Sequence, residues 1–294
     1  MEKVLVTVVT PTYNRAGTLP ALYESLRKQT DRRFDWLIVD DGSSDDTEDV
    51  VRRFERDLFE IRYTKKENGG KHTALNLAFD IVESELIFIV DSDDVLTPDA
   101  IGSIYEDWAG VRDKDLCGIG YLRGRSATEV IGSEYPAERS IDNFIALRFN
   151  RRCGGDKAEV WRTDLCREQK FPVVEGERFM GESILWVRLA REHDMLFVNK
   201  IVYITKYLPG GLTKSGRRMR NQNPMGYVVC TREWLGPEFS LRGRIKFGML
   251  YVCYSLMAKR SLREIFSTEH NGVVALTLLP GALLCAYWLA RYGR

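Results

Sequence analysis

Four short strand-like runs punctuate the first third of the chain: the mostly apolar Val4–Val9 and Phe34–Val39, the short mixed run Ile61–Thr64, and Leu86–Val90. Leu86–Val90 is apolar at five consecutive positions, as a strand buried on both faces is. Stretches of helical character lie between the runs. Leu19–Lys28 carries Leu19, Leu22, Tyr23 and Leu26 on one face. Asp45 and Glu48 have the spacing of a capping box for a helix to about Arg56. Thr73–Val82 reads as a third helix. Thr97 as N-cap and Pro98 as first helical residue predict a fourth, running to about Trp108. Strand, polar loop and helix in repeated order predict an α/β fold: a doubly wound, mostly parallel sheet with helices on both faces. Cys117–Leu122, Ala158–Trp161 and Leu196–Thr205 read as later strands, with a mostly apolar helix at Ile184–Ala190. We expect one α/β domain over residues 1–210, in halves 1–100 and 101–210. A basic loop and an apolar helical tail fill 211–294.

The fourth strand runs straight into Asp91-Ser92-Asp93-Asp94. In open α/β sheets the carboxyl edge of the strands is where ligands bind. Carboxylates this close repel unless something positive sits among them. Hard oxygen ligands suit Mg²⁺ or Mn²⁺; the plainer alternative is a solvated acidic turn. At neighbouring strand ends, Tyr13 can stack on a base or pack on the first helix. Asp40 or Asp41 can accept hydrogen bonds from a base or ribose. Gly69-Gly70 offers N–H groups to an anion, and Lys71 adds charge. No Gly-x-Gly-x-x-Gly follows the first strand and no Walker A motif occurs, which argues against a dinucleotide enzyme or P-loop NTPase.

Charge and cysteine usage refine this picture. The net charge of +1 conceals +9 over residues 206–264 and −9 over the first 205. An acidic front suits a metal site, and a basic tail suits an anionic partner, either a phosphate-bearing ligand or a membrane surface. The cysteines at 117, 153, 166, 230, 253 and 285 form no Cys-x-x-Cys, which argues against zinc and against a disulfide framework. The apolar run after Met1-Glu2-Lys3 is shorter than a signal-peptide core, so a cytoplasmic chain is expected. No nucleic-acid partner is expected.

Val-Val-Thr-Pro-Thr-Tyr-Asn-Arg15, Ile-Val-Asp-Asp-Gly-Ser-Ser-Asp-Asp-Thr47, Asn-Gly-Gly-Lys-His-Thr-Ala-Leu-Asn76 and Asp-Ser-Asp-Asp94 occur in this order. Together they resemble the N-terminal half of a family-2 glycosyltransferase of the GT-A fold, over roughly residues 3–205. The resemblance implies a nucleotide-diphosphate-sugar donor, a UDP-sugar first, with a divalent metal and inversion at the anomeric carbon. It makes residues 1–100 the donor half and 101–210 the acceptor half. Carried over, Pro11, Tyr13 and Asp41, or Asp40, hold the nucleobase, and Lys71 lies near base or phosphates. Asp91 meets the ribose side, with Arg15 and Ser92 as further donor-site candidates. Asp93 ligates the metal, assisted by Asp91 or Asp94.

Many members have Glu-Asp a few residues before a Trp on a helix, that Asp being the base. Aligning on Trp186 puts Glu182 at the Asp position and Gly181 at the Glu. A positioned Glu is chemically adequate to take a hydroxyl proton; Glu182 equally suits the start of its helix, and Glu177 is the second candidate. Lys157 can face an acceptor or phosphate, against the commoner solvated lysine. Lys214–Arg220 can fold over a diphosphate or meet anionic lipid. Gly272–Ala290 has 19 residues without a charge, interrupted by Pro280-Gly281. A bent helical pair lying in a membrane interface is expected, with a lipid-linked glycan as acceptor and a peripheral place on the inner face of the cell membrane. The alternatives for the tail are packing on the domain or a true span. Gln-x-x-Arg-Trp is absent, which favours addition of a single sugar. Two other classes stay open: a non-catalytic nucleotide-sugar-binding or membrane-scaffolding protein, and an Asp-x-Asp phosphatase. The phosphatase would need its nucleophile after the first strand, where this chain has Thr-Pro-Thr-Tyr.

Overall fold

The computed structural model describes residues 4–205 and 219–292. Strands β1 (Val6–Thr12), β2 (Phe34–Asp40), β3 (Ile61–Lys65) and β4 (Leu86–Ile89) alternate with helices α1 (Leu19–Arg27), α2 (Thr47–Arg52) and α3 (Lys71–Ile81). These strands lie parallel in the order β3-β2-β1-β4. Beyond β4 the sheet becomes mixed, through β6 (Leu116–Gly124), β8 (Lys157–Arg162) and β9 (Asp194–Ile204). β8 runs antiparallel between β4 and β6, while β6 and β9 are parallel. Two short strands, β5 (Val95–Leu96) and β7 (Arg139–Asp142), pair with β9. Helices α4 (Ala100–Ala109), α5 (Thr163–Gln169) and α6 (Ser183–Ala190) complete the domain.

Alternation along the central strands sends side chains to opposite faces. Val8, Trp36, Ile38 and Phe88 join Leu22, Ile104 and Trp108 in one apolar cluster. Val9, Leu37, Ile87 and Trp161 join Leu75, Phe79, Leu185 and Trp186 in the other. The expected doubly wound arrangement is therefore present, with helices on both faces. The second cluster also takes in Tyr227 of α7 (Pro224–Glu233), Phe247 and Tyr254 of α8 (Leu241–Met257), Ile265 of α9 (Leu262–Ile265) and Trp288 of α10 (Asn271–Tyr292).

Several boundaries differ from the sequence expectation, each for a local reason. β1 continues through Pro11 and Thr12 because these pair with Val39 and Asp40. α2 starts at Thr47, and Asp45 serves the Thr47 hydroxyl and N–H while Glu48 pairs with Arg52, so no capping box forms. α3 starts two residues early, at Lys71. The helix expected at Pro98 starts at Ala100, because Val95 and Leu96 first pair with Ile204 and Tyr203. Thr97 donates its hydroxyl to Asp99 instead of capping that helix. α10 runs unbroken through Pro280, not as a bent pair. Of the basic run 214–220, only Met219 and Arg220 fall within the described residues.

Candidate active site

The carboxyl ends of β1, β2 and β4 meet where the strand order turns back on itself, as ligand crevices of open sheets do. The loops there are tied together. Asn14, in the left-handed region at φ 53, accepts from the Ser44 and Asp45 amides and donates its own N–H to Ser43. Asp40 is fully buried, accepting from the Ser43 amide at 2.7 Å and the Tyr63 hydroxyl at 2.5 Å. Asp41 accepts from Lys66 Nζ at 2.8 Å and from the amides of Gly69 at 3.0 Å and Gly70 at 2.7 Å. The Gly69 and Gly70 N–H groups, expected to be open to an anion, are thus spent on Asp41. Both candidate base-binding carboxylates brace loops. Pro11 is buried, and Tyr13 is 48% exposed.

Gly70 shows why that turn needs glycine. Its φ is +94, and a Cβ there would lie 2.0 Å from the Arg178 carbonyl oxygen. The turn and the segment leading to Glu182 are in direct backbone contact.

Lys71 opens α3, and its ammonium bridges two carboxylates: Asp91 Oδ1 at 2.5 Å and Glu182 Oε1 at 2.6 Å. Asp91 also faces Arg123 Nη1 at 3.3 Å, and its amide donates to the Tyr203 hydroxyl. Burial pushes the Asp91 carboxyl up, but Lys71 and then Arg123 outweigh it and hold the group well below the usual carboxylate range. Burial opposes the charge on Lys71 too, and Asp91 and Glu182 together drive its pKa up. Arg123 lies over the Tyr203 ring, 3.9 Å from its centroid, and donates to the Lys157 carbonyl at 2.6 Å. A cation over an aromatic face gains from the ring quadrupole while keeping its N–H groups for carboxylates.

Asp93 is partly exposed, with Arg15 Nη2 at 3.7 Å. Ser92 and Asp94 are buried. Asp94 lies 3.7 Å from Arg123 and accepts from Thr205. Burial, then Asp91, pushes its pKa up to about 6. Among the described residues, no three His, Cys, Asp or Glu side chains come together as a metal cage. Two carboxylates do suit a metal that takes its remaining oxygens from substrate phosphates and water, as Mg²⁺ does. Asp93 and its neighbour Asp94 are the carboxylates of the motif that would enter such a donor set.

Glu182 occupies the N-cap position of α6 without a side-chain cap bond, its carboxylate being turned to Lys71. Four residues on, Trp186 stacks on Trp161 at 4.1 Å and 6° between planes, which fixes α6 over β8. Glu177 is spoken for: both oxygens accept from the Met225 and Gly226 amides, capping α7. Lys157 is neither solvated nor aimed at a ligand site. It is buried, donating to the Ser133 and Gly154 carbonyls.

Three residues enter the site without being anticipated. Arg123 and Tyr203 come from strands β6 and β9, far along the chain, and carry no local motif. Glu159 on β8 is the third, aligned with Gly120 of β6. Burial raises its pKa, against Arg148 and Arg123, and the Glu182 charge adds to the rise.

The family model for glycosyl transferase family 2 matches residues 7–153. The glycosyltransferase GlyG of Streptococcus pneumoniae serotype 4 is 33% identical over 235 residues, covering 72% of this chain and 73% of that protein. The UDP-Glc:alpha-D-GlcNAc-diphosphoundecaprenol beta-1,3-glucosyltransferase WfgD of Escherichia coli is 34% identical over 217 residues, 70% of this chain and 78% of that one. Among solved structures, the mannosyltransferase PcManGT of Pyrobaculum calidifontis, in complex with GDP-Man and Mn²⁺, superimposes with a TM-score of 0.59 at 20% identity. That match covers 98% of this chain and 82% of the other.

Proposed function

Since the chain belongs to glycosyl transferase family 2, has the GT-A fold and is a glycosyltransferase acting on nucleotide sugars, we propose that it is a metal-dependent, inverting enzyme. It takes the sugar of a UDP-sugar to a hydroxyl of a lipid-linked glycan, in surface-polysaccharide assembly at the inner face of the cell membrane. The observation that carries this reading is the Lys71 bridge. It holds Glu182, a carboxylate with no capping duty, beside the Asp91 end of the donor crevice. A UDP-sugar and a lipid-linked acceptor are favoured because WfgD, whose name states both, is similar over most of its length.

In this mechanism Pro11 and Tyr13 hold the nucleobase, with Asp40 and Asp41 bracing the loops that shape its slot. Asp91, fixed by Lys71, Arg123 and the Tyr203 hydroxyl, orients the ribose side, with the buried Ser92 next to it in the chain and the part-exposed Arg15 as further donor-site residues. Asp93 with Asp94 would hold Mg²⁺ or Mn²⁺, which supplies positive charge to the departing diphosphate. Glu182 accepts the proton of the acceptor hydroxyl as its oxygen attacks the anomeric carbon from the face opposite the diphosphate. The new C–O bond forms as the bond to the phosphate oxygen breaks, and the electron pair leaves with the nucleotide.

Glu182→Gln tests the base. Loss of a general base lowers kcat by about 10²–10⁴-fold, while UDP affinity should stay within about threefold, because the lost interaction acts on the chemical step. Unchanged turnover would remove Glu182 from the mechanism. Donor binding without turnover on any lipid-linked acceptor, in the unmodified protein, would favour a binding or scaffolding role.

A further inference from the structure

Helix α10 packs one face against α8 and leaves the other uncovered. Its inner face is Val274, Thr277, Gly281, Cys285 and Trp288, all buried. The approach is close: a Cβ at Gly281 would meet Val252 at 2.7 Å, and one at Gly248 would meet the Thr277 hydroxyl at 2.7 Å. The outer face is exposed and carries Leu276, Leu279, Leu283 and Tyr287 at 64%, 70%, 64% and 52% exposure. Ala275, Pro280, Ala286 and Ala290 are exposed among and beside them, so no charged side chain interrupts the face from residue 275 to 290 and the Tyr287 hydroxyl is its one polar group. Soluble monomers rarely leave a continuous apolar strip of that length in water.

We infer that the Leu276–Tyr287 face of α10 lies in the headgroup boundary of an anionic bilayer, parallel to its plane, and holds the enzyme beside its lipid-linked acceptor. The inference rests on the proposed lipid-linked acceptor and deepens it by naming the docking face.

Charge selects the bilayer over a second copy of the chain. Residues 241–292 carry seven Lys or Arg against two Glu, with Arg242, Lys246, Lys259, Arg263 and Arg291 exposed. Arg291 lies on α10 and the others on or just after α8, so pairing two copies through this tail would bring its net positive charge together, whereas anionic headgroups complement it. Arg291 donates to the Tyr287 hydroxyl at 3.1 Å, a cation and an amphipathic ring at one end of the strip. Such pairs settle where hydrocarbon meets water.

Two features favour lying in the plane over crossing it. Pro280 has no N–H for the Leu276 carbonyl, and both residues are on the exposed face. An unmet carbonyl is costly in hydrocarbon but is served by water and headgroups at the boundary. The helix covering the inner face, α8, is itself packed into the domain's apolar cluster through Phe247, Tyr251 and Tyr254, so a crossing α10 would have to pull away from that cluster or carry α8 into the bilayer with it.

The test is flotation of the full chain with phosphatidylcholine vesicles, with and without phosphatidylglycerol. The wild type should float with the anionic vesicles and be released by alkaline carbonate. The triple substitution Leu276→Glu, Leu279→Glu and Leu283→Glu, all at exposed positions, should cut the bound fraction about tenfold or more. Arg242→Glu with Lys246→Glu should weaken the preference for anionic lipid. Each variant is also titrated with UDP, which reports the integrity of the donor site without vesicles. Equal flotation of the triple variant, no flotation of the wild type, carbonate resistance, or a vesicle-independent dimer abolished by the triple variant would each overturn the inference. Failure of the wild type to bind UDP would overturn the donor reading instead and leave the flotation result standing.

Discussion

Lys71→Met removes the ammonium that joins Asp91 to Glu182. Two charge-assisted hydrogen bonds are lost, at 2.5 and 2.6 Å. At an effective dielectric near 20, two unit charges about 4 Å apart attract by about 4 kcal/mol. The three side chains are 28–34% exposed, so solvent screening brings this toward the 1.5–3 kcal/mol typical of a hydrogen bond to a charged group. Asp91 retains Arg123 at 3.3 Å, which covers part of its loss. Glu182 has no second cation in the salt bridges of the described residues. A net penalty of about 2–4 kcal/mol on the transition state corresponds to roughly 30–1,000-fold in kcat/KM. Steady-state transfer would be measured for Lys71→Met, Glu182→Gln and the double variant. If Lys71 works by holding Glu182 in place, the two effects are clearly less than additive. Activity within about threefold of wild type, or full additivity in the double variant, would refute the bridge as a working part of the site.

Gly70→Ala should lower stability by at least about 2 kcal/mol and cost activity with it, because it combines a positive-φ penalty with a clash on the Arg178 carbonyl. Gly69→Ala meets side-chain atoms of Thr73 and Lys66 and should be milder in the same thermal melt. His72 is buried with neither ring nitrogen hydrogen-bonded, and burial lowers its pKa, assisted by Lys66 and opposed by Asp41. The unfolded chain then binds more protons than the native one as pH falls below the ordinary value near 6.5, so His72 makes stability decline toward acid. His72→Leu should flatten the pH 7-to-5 part of the stability curve and gain about 1–2 kcal/mol at pH 5 in urea unfolding; an unchanged slope would contradict this.

The parallel half of the sheet was legible because β1, β2 and β4 are short, mostly apolar runs ending in turn-forming polar residues, and the mixed run of β3 falls in the same repeat. Helix starts were less legible. Thr97 and Pro98 form a sound start signal locally, but pairing of Val95 and Leu96 with β9 takes those residues first, a contact no local pattern encodes. The Asp cluster and Glu182 stand out in the sequence because one matches a motif and the other aligns with one through Trp186. That Lys71 joins them does not, since the contact spans 111 residues between Lys71 and Glu182 and depends on α3 and α6 meeting over the sheet. Arg123 and Tyr203 escaped for the same reason. Residue type alone misjudged Lys157, whose burial follows from two carbonyls that face it from Ser133 and Gly154.

The central claim is a donor site in which Asp93 holds a metal on a nucleoside diphosphate. Calorimetric titration with UDP, GDP, CMP and dTDP, with and without Mn²⁺, on wild type and Asp93→Ala, tests it most directly. The expected result is binding of UDP that strengthens with Mn²⁺ and loses about tenfold or more in affinity in Asp93→Ala. Binding indifferent to both the metal and Asp93, or no binding of any of the four nucleotides, would contradict it.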